Sequence, residues 1–203
     1  MPKNLPDGFE DKLVWFPELG MGWHPAPPMS YEKDYWDKYV EYDATKMGEA
    51  LTRFRLKFVR KFWHGEVVDI GIGAGRFVQE SGGKGFDVNK SAIKWLKNND
   101  LYCDPYDQPV QAITCWDSLE HIPEPVKLLD QVTKWVFVSM PIFPDANRAH
   151  KSKHYRPGEH IWYFSERGLI HWMASHGFRL AGHSDEETKI GRDEIMTYAF
   201  TRD

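Results

Sequence analysis

The chain has 203 residues, a formal net charge of −4 and a pI near 6.1, which is length for one domain with a full core and no global basic field to attract nucleic acid. No apolar run reaches membrane-spanning length and the first residues hold no apolar core of the signal-peptide kind, so a soluble cytoplasmic protein is expected. The two cysteines, Cys103 and Cys115, fall in or beside strand-like runs and read as small buried thiols rather than a disulfide or a metal pair.

Residues 1–30 carry six prolines together with Trp15, Phe16 and Trp23. This reads as an irregular arm whose aromatics suit packing on the body or covering a site. Ser30 is placed to cap a helix over residues 31–40, where Tyr31, Tyr35 and Tyr39 recur every four residues and share one face. That stripe either packs the helix on the domain or makes a lid whose phenols reach a ligand. Residues 47–63 give the clearest helix, with Met47, Leu51, Phe54, Phe58 and Phe62 on its apolar face. Arg53, Arg55, Lys57, Arg60 and Lys61 crowd the remainder, as a solvated basic face or a nucleic-acid contact.

Residues 67–70 read as a short buried strand that runs into Gly71, Gly73 and Gly75, and a helix follows near Arg76. Glycines this dense after a strand mean a tight turn and a close approach to the backbone. A dinucleotide turn, G-x-G-x-x-G, would need its third glycine where Arg76 stands, and arginine cannot replace a glycine that lets helix and strand touch. A second strand over residues 85–89 holds Asp87, eighteen residues after Asp69. A carboxylate at that place can accept both ribose hydroxyls of an adenosine. Asn89 caps the next helix. Residues 101–103 form a weak third strand, ended by Asp104 and Pro105 in a turn.

Residues 112–116 are the fourth strand, followed by Asp117, Ser118, Leu119, Glu120, His121, Ile122 and Pro123. The fifth strand lies within residues 132–140. Residues 145–159 read as a long polar loop with His150, Lys151, Lys153, His154 and Arg156, and His160 stands just beyond it. Ser165 caps a helix that ends at Gly177. Residues 178–183 and 195–201 pair as an antiparallel hairpin joined by a charged loop. The order of elements is β-α repeated, then β-β, an α/β class with a doubly wound sheet.

Two of these stretches resemble a known family. The pattern Asp69-x-Gly71-x-Gly73-x-Gly75 is similar to the first motif of class I S-adenosylmethionine-dependent methyltransferases. The stretch from Asp117 to Pro125 resembles D-x-L-E-H-[IV]-x-x-P of their ubiquinone-biosynthesis O-methyltransferase branch, at six positions in nine. It lacks the [DNS]-P-P-[YFW] motif that enzymes methylating exocyclic amines of bases carry at that place. The resemblance covers residues 47–201 and implies a Rossmann-like, seven-stranded doubly wound sheet with the terminal hairpin. Residues 1–46, which match the family only loosely, are then an aromatic arm that packs on the domain or serves as a lid, and residues 47–203 the S-adenosylmethionine-binding domain. It implies cofactor contacts from Asp69, Gly71, Gly73, Gly75, Asp87, Val88, Asp104, Asp117 and Ser118. Asp104 would meet the adenine amino group, unless it serves only its turn.

Arg55, in a stretch similar to R-x-x-[FY]-[IV], would pair with the methionine carboxylate, although Thr52 stands where the family often has Asn. His160, in a pattern similar to H-x-x-x-[FY]-[ST], would lie near the transferred methyl and act as general base or order its loop; His121 is a second candidate base or shapes its turn. His150, His154 and His160 have weak metal spacing, and the lysines among them oppose a cation, so no metal is expected; the same residues suit an anionic acceptor. The leading reading is methyl transfer to O or N of a small molecule. A nucleic acid or nucleotide acceptor and a non-catalytic cofactor-binding module are the alternatives.

Overall fold

The computed structural model of the protein describes residues 13–25 and 33–203. Strands β1 (Val14–Phe16) and β2 (Met21–Trp23) form a hairpin. Helix α1 (Lys33–Asp43) leads into α2 (Lys46–Phe62). Ser30 and Tyr31, expected to start the first helix, lie outside the described residues. Thr45 caps α2 by accepting from the Gly48 N–H at 3.1 Å, and Leu51, Phe58 and Val59 are its buried apolar side chains. The four-residue spacing of Phe54, Phe58 and Phe62 brings their rings within 5.8 and 5.4 Å of one another.

There follow β3 (Val68–Ile70), α3 (Arg76–Ser81), β4 (Lys84–Phe86), α4 (Lys90–Asn98) and β5 (Val110–Trp116). Then come α5 (Pro125–Leu129), β6 (Val132–Pro141), α6 (Ala146–Lys151), β7 (Trp162–Phe164) and α7 (Glu166–Ser175). The chain finishes with β8 (Arg179–Ser184), α8 (Glu186–Lys189) and β9 (Ile195–Thr201).

Six strands make one sheet in the order β4-β3-β5-β6-β9-β8. The first four are parallel, and β9 runs antiparallel between β6 and β8. Parallel strands covered on both faces must be apolar throughout, and Ile113, Val136, Phe137 and Val138 are indeed fully buried. Beyond β4 the expected third strand shrinks to one parallel bridge, Gly85 to Tyr102, because the turn at Asp104 stops it there. This is the doubly wound sheet the sequence leads one to expect, with its seventh strand reduced to that bridge.

Four expectations are corrected. The arm is not irregular over residues 13–25: β2 pairs with β7, and Leu13 joins Phe143, Ala149 and Tyr163 in a small second core. The polar loop over residues 145–159 contains α6, capped by Asp145 accepting from the Arg148 N–H at 2.9 Å. The charged loop of the terminal hairpin contains α8. The basic face of α2 is only partly solvated, since Arg60 donates to the carbonyls of Gly65 (3.0 Å) and Ser81 (2.8 Å), and Arg55 points into the site described next. Cys103 and Cys115 are free and buried, as expected. No helix among the described residues is long and apolar enough to cross a membrane.

Candidate active site

The carboxyl ends of β3, β4 and β5 converge on the glycine turn. Gly71, Gly73 and Gly75 all have positive φ, 76°, 56° and 85°, the left-handed region where a side chain is strained. Space forbids one as well: a Cβ on Gly71 would stand 2.9 Å from Cβ of Ser118, and on Gly75 2.5 Å from the Trp95 ring. The turn is tied to the next strand. The Gly71 N–H donates to the Phe86 carbonyl at 2.9 Å and the Ile72 N–H to Oδ2 of Asp87 at 3.0 Å. Oδ1 of Asp87 accepts from the Asn89 N–H at 2.8 Å, and Asn89 in turn caps α4. Burial raises the Asp87 pKa, against the pull of these N–H donors. One acid thus fixes the glycine turn and the start of α4 together.

Val88, next to Asp87, is 64% exposed, and Tyr106 is also exposed with its ring 5.5 Å from Phe86, so this end of the site offers apolar surface. Asp104 lies beside it. It accepts from the Tyr106 N–H at 2.9 Å and the Tyr102 hydroxyl at 3.3 Å, which is its turn-forming role. Helix α1 covers the other side, where a Cβ on Gly73 would meet the Tyr39 ring at 3.2 Å. Tyr39 is the member of the tyrosine stripe whose side chain is described. Asp69 lies beneath the turn, buried, accepting from the Thr114 hydroxyl at 2.6 Å; burial lifts its pKa to about 7.

Asp117, just past β5, is the centre of an ion network that sequence reasoning missed in half of its members. Arg192 grips it with both terminal nitrogens, at 2.8 and 2.9 Å, and Arg55 reaches it at 3.2 Å. Arg55 also donates to Glu187 through Nε at 2.8 Å and Nη2 at 3.1 Å, and Arg192 donates to the same carboxylate. Glu187 has no exposed surface and accepts further from Ser139 at 2.8 Å. Burial would raise the Asp117 pKa, but the charges of Arg192 and Arg55 outweigh it and hold the carboxyl at about 2. Asp117 has a φ of 55°, rare for a residue with a side chain. Arg55 is therefore placed at the site but engaged by this protein's own carboxylates.

Beyond Asp117, a short 3₁₀ turn over Leu119–His121 brings Glu120 and His121 against His160. One donor atom from each of the three lies within 4.8 Å of the others. The imidazole rings of His121 and His160 are 4.6 Å apart and edge-on. His121 Nδ1 is 3.0 Å from the Glu159 carbonyl. A carbonyl only accepts, so Nδ1 carries the proton and Nε2 keeps its lone pair. Burial, then the neighbouring His121, pull the His160 pKa down to about 3; burial lowers that of His121 too. Glu120 is 1% exposed, and burial followed by the Asp117 charge push its pKa well above the ordinary value.

The grouping His150, His154 and His160 does not form. The His150 ring lies 4.7 Å from Tyr155, and His154 Nε2 donates to the Asp193 carbonyl at 2.9 Å. Three basic residues of this loop are paired locally: Arg148 with Glu194, Lys153 with Asp193 and Arg156 with Glu159.

A family model described as a methyltransferase domain matches residues 39–182. No curated protein matches the chain by sequence. Among solved structures, the chain is similar to magnesium protoporphyrin IX methyltransferase of Synechocystis with bound S-adenosylhomocysteine (13% identity, TM-score 0.56, 84% of this chain and 94% of that one). It is similar also to a SAM-dependent methyltransferase of Thermotoga maritima (14%, 0.60, 84% and 97%) and to another of Aquifex aeolicus (16%, 0.54, 82% and 97%).

Proposed function

Since this chain belongs to the methyltransferase-domain family, we propose that it moves the methyl group of S-adenosylmethionine to an oxygen or nitrogen of a small acceptor. The protein is an S-adenosylmethionine-dependent methyltransferase by family. The nine residues from Asp117 to Pro125 support a place in the ubiquinone-biosynthesis O-methyltransferase-like branch, and with it an oxygen acceptor.

The observation that carries the reading is the coupling of Asp87 to the glycine turn, in which Gly71, Gly73 and Gly75 hold positive φ that side chains rarely adopt. On this reading the methionine part runs along the turn. Asp87 takes the ribose hydroxyls, and Val88 flanks the adenine, whose amino group faces Asp104. Asp69, Asp117 and Ser118 close the sulfonium end from below and beside. The sulfonium methyl is already electrophilic, so the residues must mainly hold the acceptor in line with the S–C bond and keep water out. Within the proposed arm and lid of residues 1–46, Tyr39 of α1 over Gly73 supports the lid.

For a departing proton the near imidazoles are His121 and His160. Their lowered basicity keeps both neutral with a lone pair to offer, but a base near 3 captures little of a proton at neutral pH. Burial of His160 thus weighs against the general-base role that its position in sequence suggests.

Calorimetric titration with S-adenosylhomocysteine tests the cofactor site. Wild type is expected to bind, and Asp87→Ala to bind roughly tenfold more weakly or worse, since a charge-assisted hydrogen bond is worth about 1.5–3 kcal/mol. Equal affinity in a variant of unchanged melting temperature would sink the ribose assignment. A small-molecule enzyme is further expected to show no salt-dependent oligonucleotide binding, whereas a steep decline of affinity with salt would favour the nucleic-acid alternative. The internal use of Arg55, Arg60, Arg148 and Arg156 supports the former.

A further inference from the structure

We propose that the indole Nε1–H of Trp116 donates a hydrogen bond to the carboxylate in the methionine part of S-adenosylmethionine. The proposal rests on the cofactor reading above and adds a residue to it. It starts from an unmet donor. Trp116 is the last residue of β5 and 7% exposed, and its Nε1 is buried with no hydrogen-bond partner among the described residues. A buried indole N–H usually finds an acceptor, because a donor taken from water and left unpaired is costly. The indoles of Trp63 and Trp162 obey this, donating to the Glu66 and Ile122 carbonyls at 2.9 Å. The carboxylates around Arg55 do not serve Trp116: Asp117 takes Arg192 and Arg55, and Glu187 takes both arginines and Ser139.

The neighbours of the indole choose the acceptor. The Arg55 guanidinium lies over its ring, 5.1 Å from the centroid, and the Phe77 ring meets it edge-on at 5.2 Å. Phe77 is the second residue of α3, the helix that leaves the glycine turn. Trp116 thus touches both the arginine expected at the methionine carboxylate and the first turn of the helix after the glycines. Arg55 spends Nε and Nη2 on Glu187 and Asp117, while Nη1 makes no hydrogen bond to a described residue. In the sheet β3 lies between β4 and β5. A cofactor whose ribose is held by Asp87, past the end of β4, therefore reaches the end of β5 with its amino-acid part. An indole N–H can only donate. The ammonium and the sulfonium are both cationic and do not accept. The ribose hydroxyls go to Asp87, and the adenine lies at the Val88 and Asp104 end. The carboxylate is the group left with lone pairs, and a charged acceptor makes the stronger hydrogen bond. Nη1 of Arg55 and Nε1 of Trp116 then share it.

The test compares two ligands by calorimetry on the whole protein. S-adenosylhomocysteine carries the carboxylate; 5′-methylthioadenosine keeps the adenine and ribose and lacks the amino-acid end. Trp116→Phe retains an aromatic face for Arg55 and Phe77 and removes the N–H. It is expected to weaken S-adenosylhomocysteine binding roughly tenfold and to leave 5′-methylthioadenosine binding within about twofold of wild type. An equal loss for both ligands would mark a packing role, and undiminished S-adenosylhomocysteine binding an uninvolved indole; either overturns the proposal. A second measurement needs no variant. With isotope-labelled tryptophan, the Trp116 indole N–H resonance of wild type is expected to move downfield on adding S-adenosylhomocysteine and to stay in place with 5′-methylthioadenosine. A resonance that S-adenosylhomocysteine leaves unmoved also overturns the proposal. If wild type binds neither ligand, the cofactor reading fails and this inference with it. If wild type binds both and Trp116→Phe does not tell them apart, the cofactor reading stands and the role of Trp116 alone is refuted.

Discussion

Glu187→Leu is expected to lower the free energy of unfolding by about 3–5 kcal/mol, the usual result of removing one partner from a buried ion pair. The carboxylate has no exposed surface, and Arg55, Arg192 and Ser139 all donate to it. Its loss leaves two guanidiniums to share Asp117, with desolvation no longer offset. Glu187→Gln keeps the volume and one acceptor oxygen, so its loss is expected to be smaller but of the same sign. Denaturant unfolding of both variants measures this. If both fall within about 1 kcal/mol of wild type, within the reach of ordinary surface changes, the network does not stabilise the fold. Affinity for S-adenosylhomocysteine is expected to drop alongside, because Arg55 and Asp117 lose the group that fixes their positions.

Asp69→Asn is expected to act in the opposite direction on stability, and only at one end of the pH scale. The Asp69 carboxyl has a pKa of about 7 in the folded protein against 3.8 unexposed to the fold. Between these values the folded state holds more protons than the unfolded one, so stability falls as pH rises from about 4 to about 7. Above the folded pKa the full penalty applies, at most ~4 kcal/mol for a shift of about three pKa units. Below the unfolded pKa it is absent. Asparagine keeps an acceptor for the Thr114 hydroxyl and carries no charge, so the variant is expected to melt higher than wild type at pH 8 and alike at pH 4. A melting difference that does not change with pH would refute the assignment. Cofactor affinity is expected to fall in the same variant, since the buried charge serves the site at the expense of the fold.

Much of this architecture is legible in local spacing. Phenylalanines at every fourth position define α2, Asn89 and Ser165 mark their helices by capping, and unbroken apolar runs mark β5 and β6. The glycine turn and Asp87 are legible for the same reason: backbone geometry demands glycine, and the acid ends a strand. What escapes is set by long-range contact. Glu186 and Glu187 are adjacent and chemically alike, yet only Glu187 points inward, toward an arginine 132 residues earlier. Arg192 looks like any loop arginine until β9 carries it to Asp117. The arm reads as irregular because its strands are three residues long and the pairing partner of β2 is β7. Histidine spacing along residues 150–160 suggests one grouping, while the fold joins His160 to Glu120 and His121 instead.

The pairing of β2 with β7 also sets an order of assembly. Trp23 and Trp162 are register partners about 140 residues apart, a contact that closes a long loop. Residues 13–25 are synthesised long before residues 162–164, so the β7 edge of the hairpin cannot be paired until the later strand has been made. His160, two residues before β7, is held in place only then. A nascent chain stopped before β7 holds the glycine turn and β3, β4 and β5 but lacks the partner strand of β2. A blocked or altered arm is therefore expected to disturb the β7 side, where His160 stands, before the glycine turn.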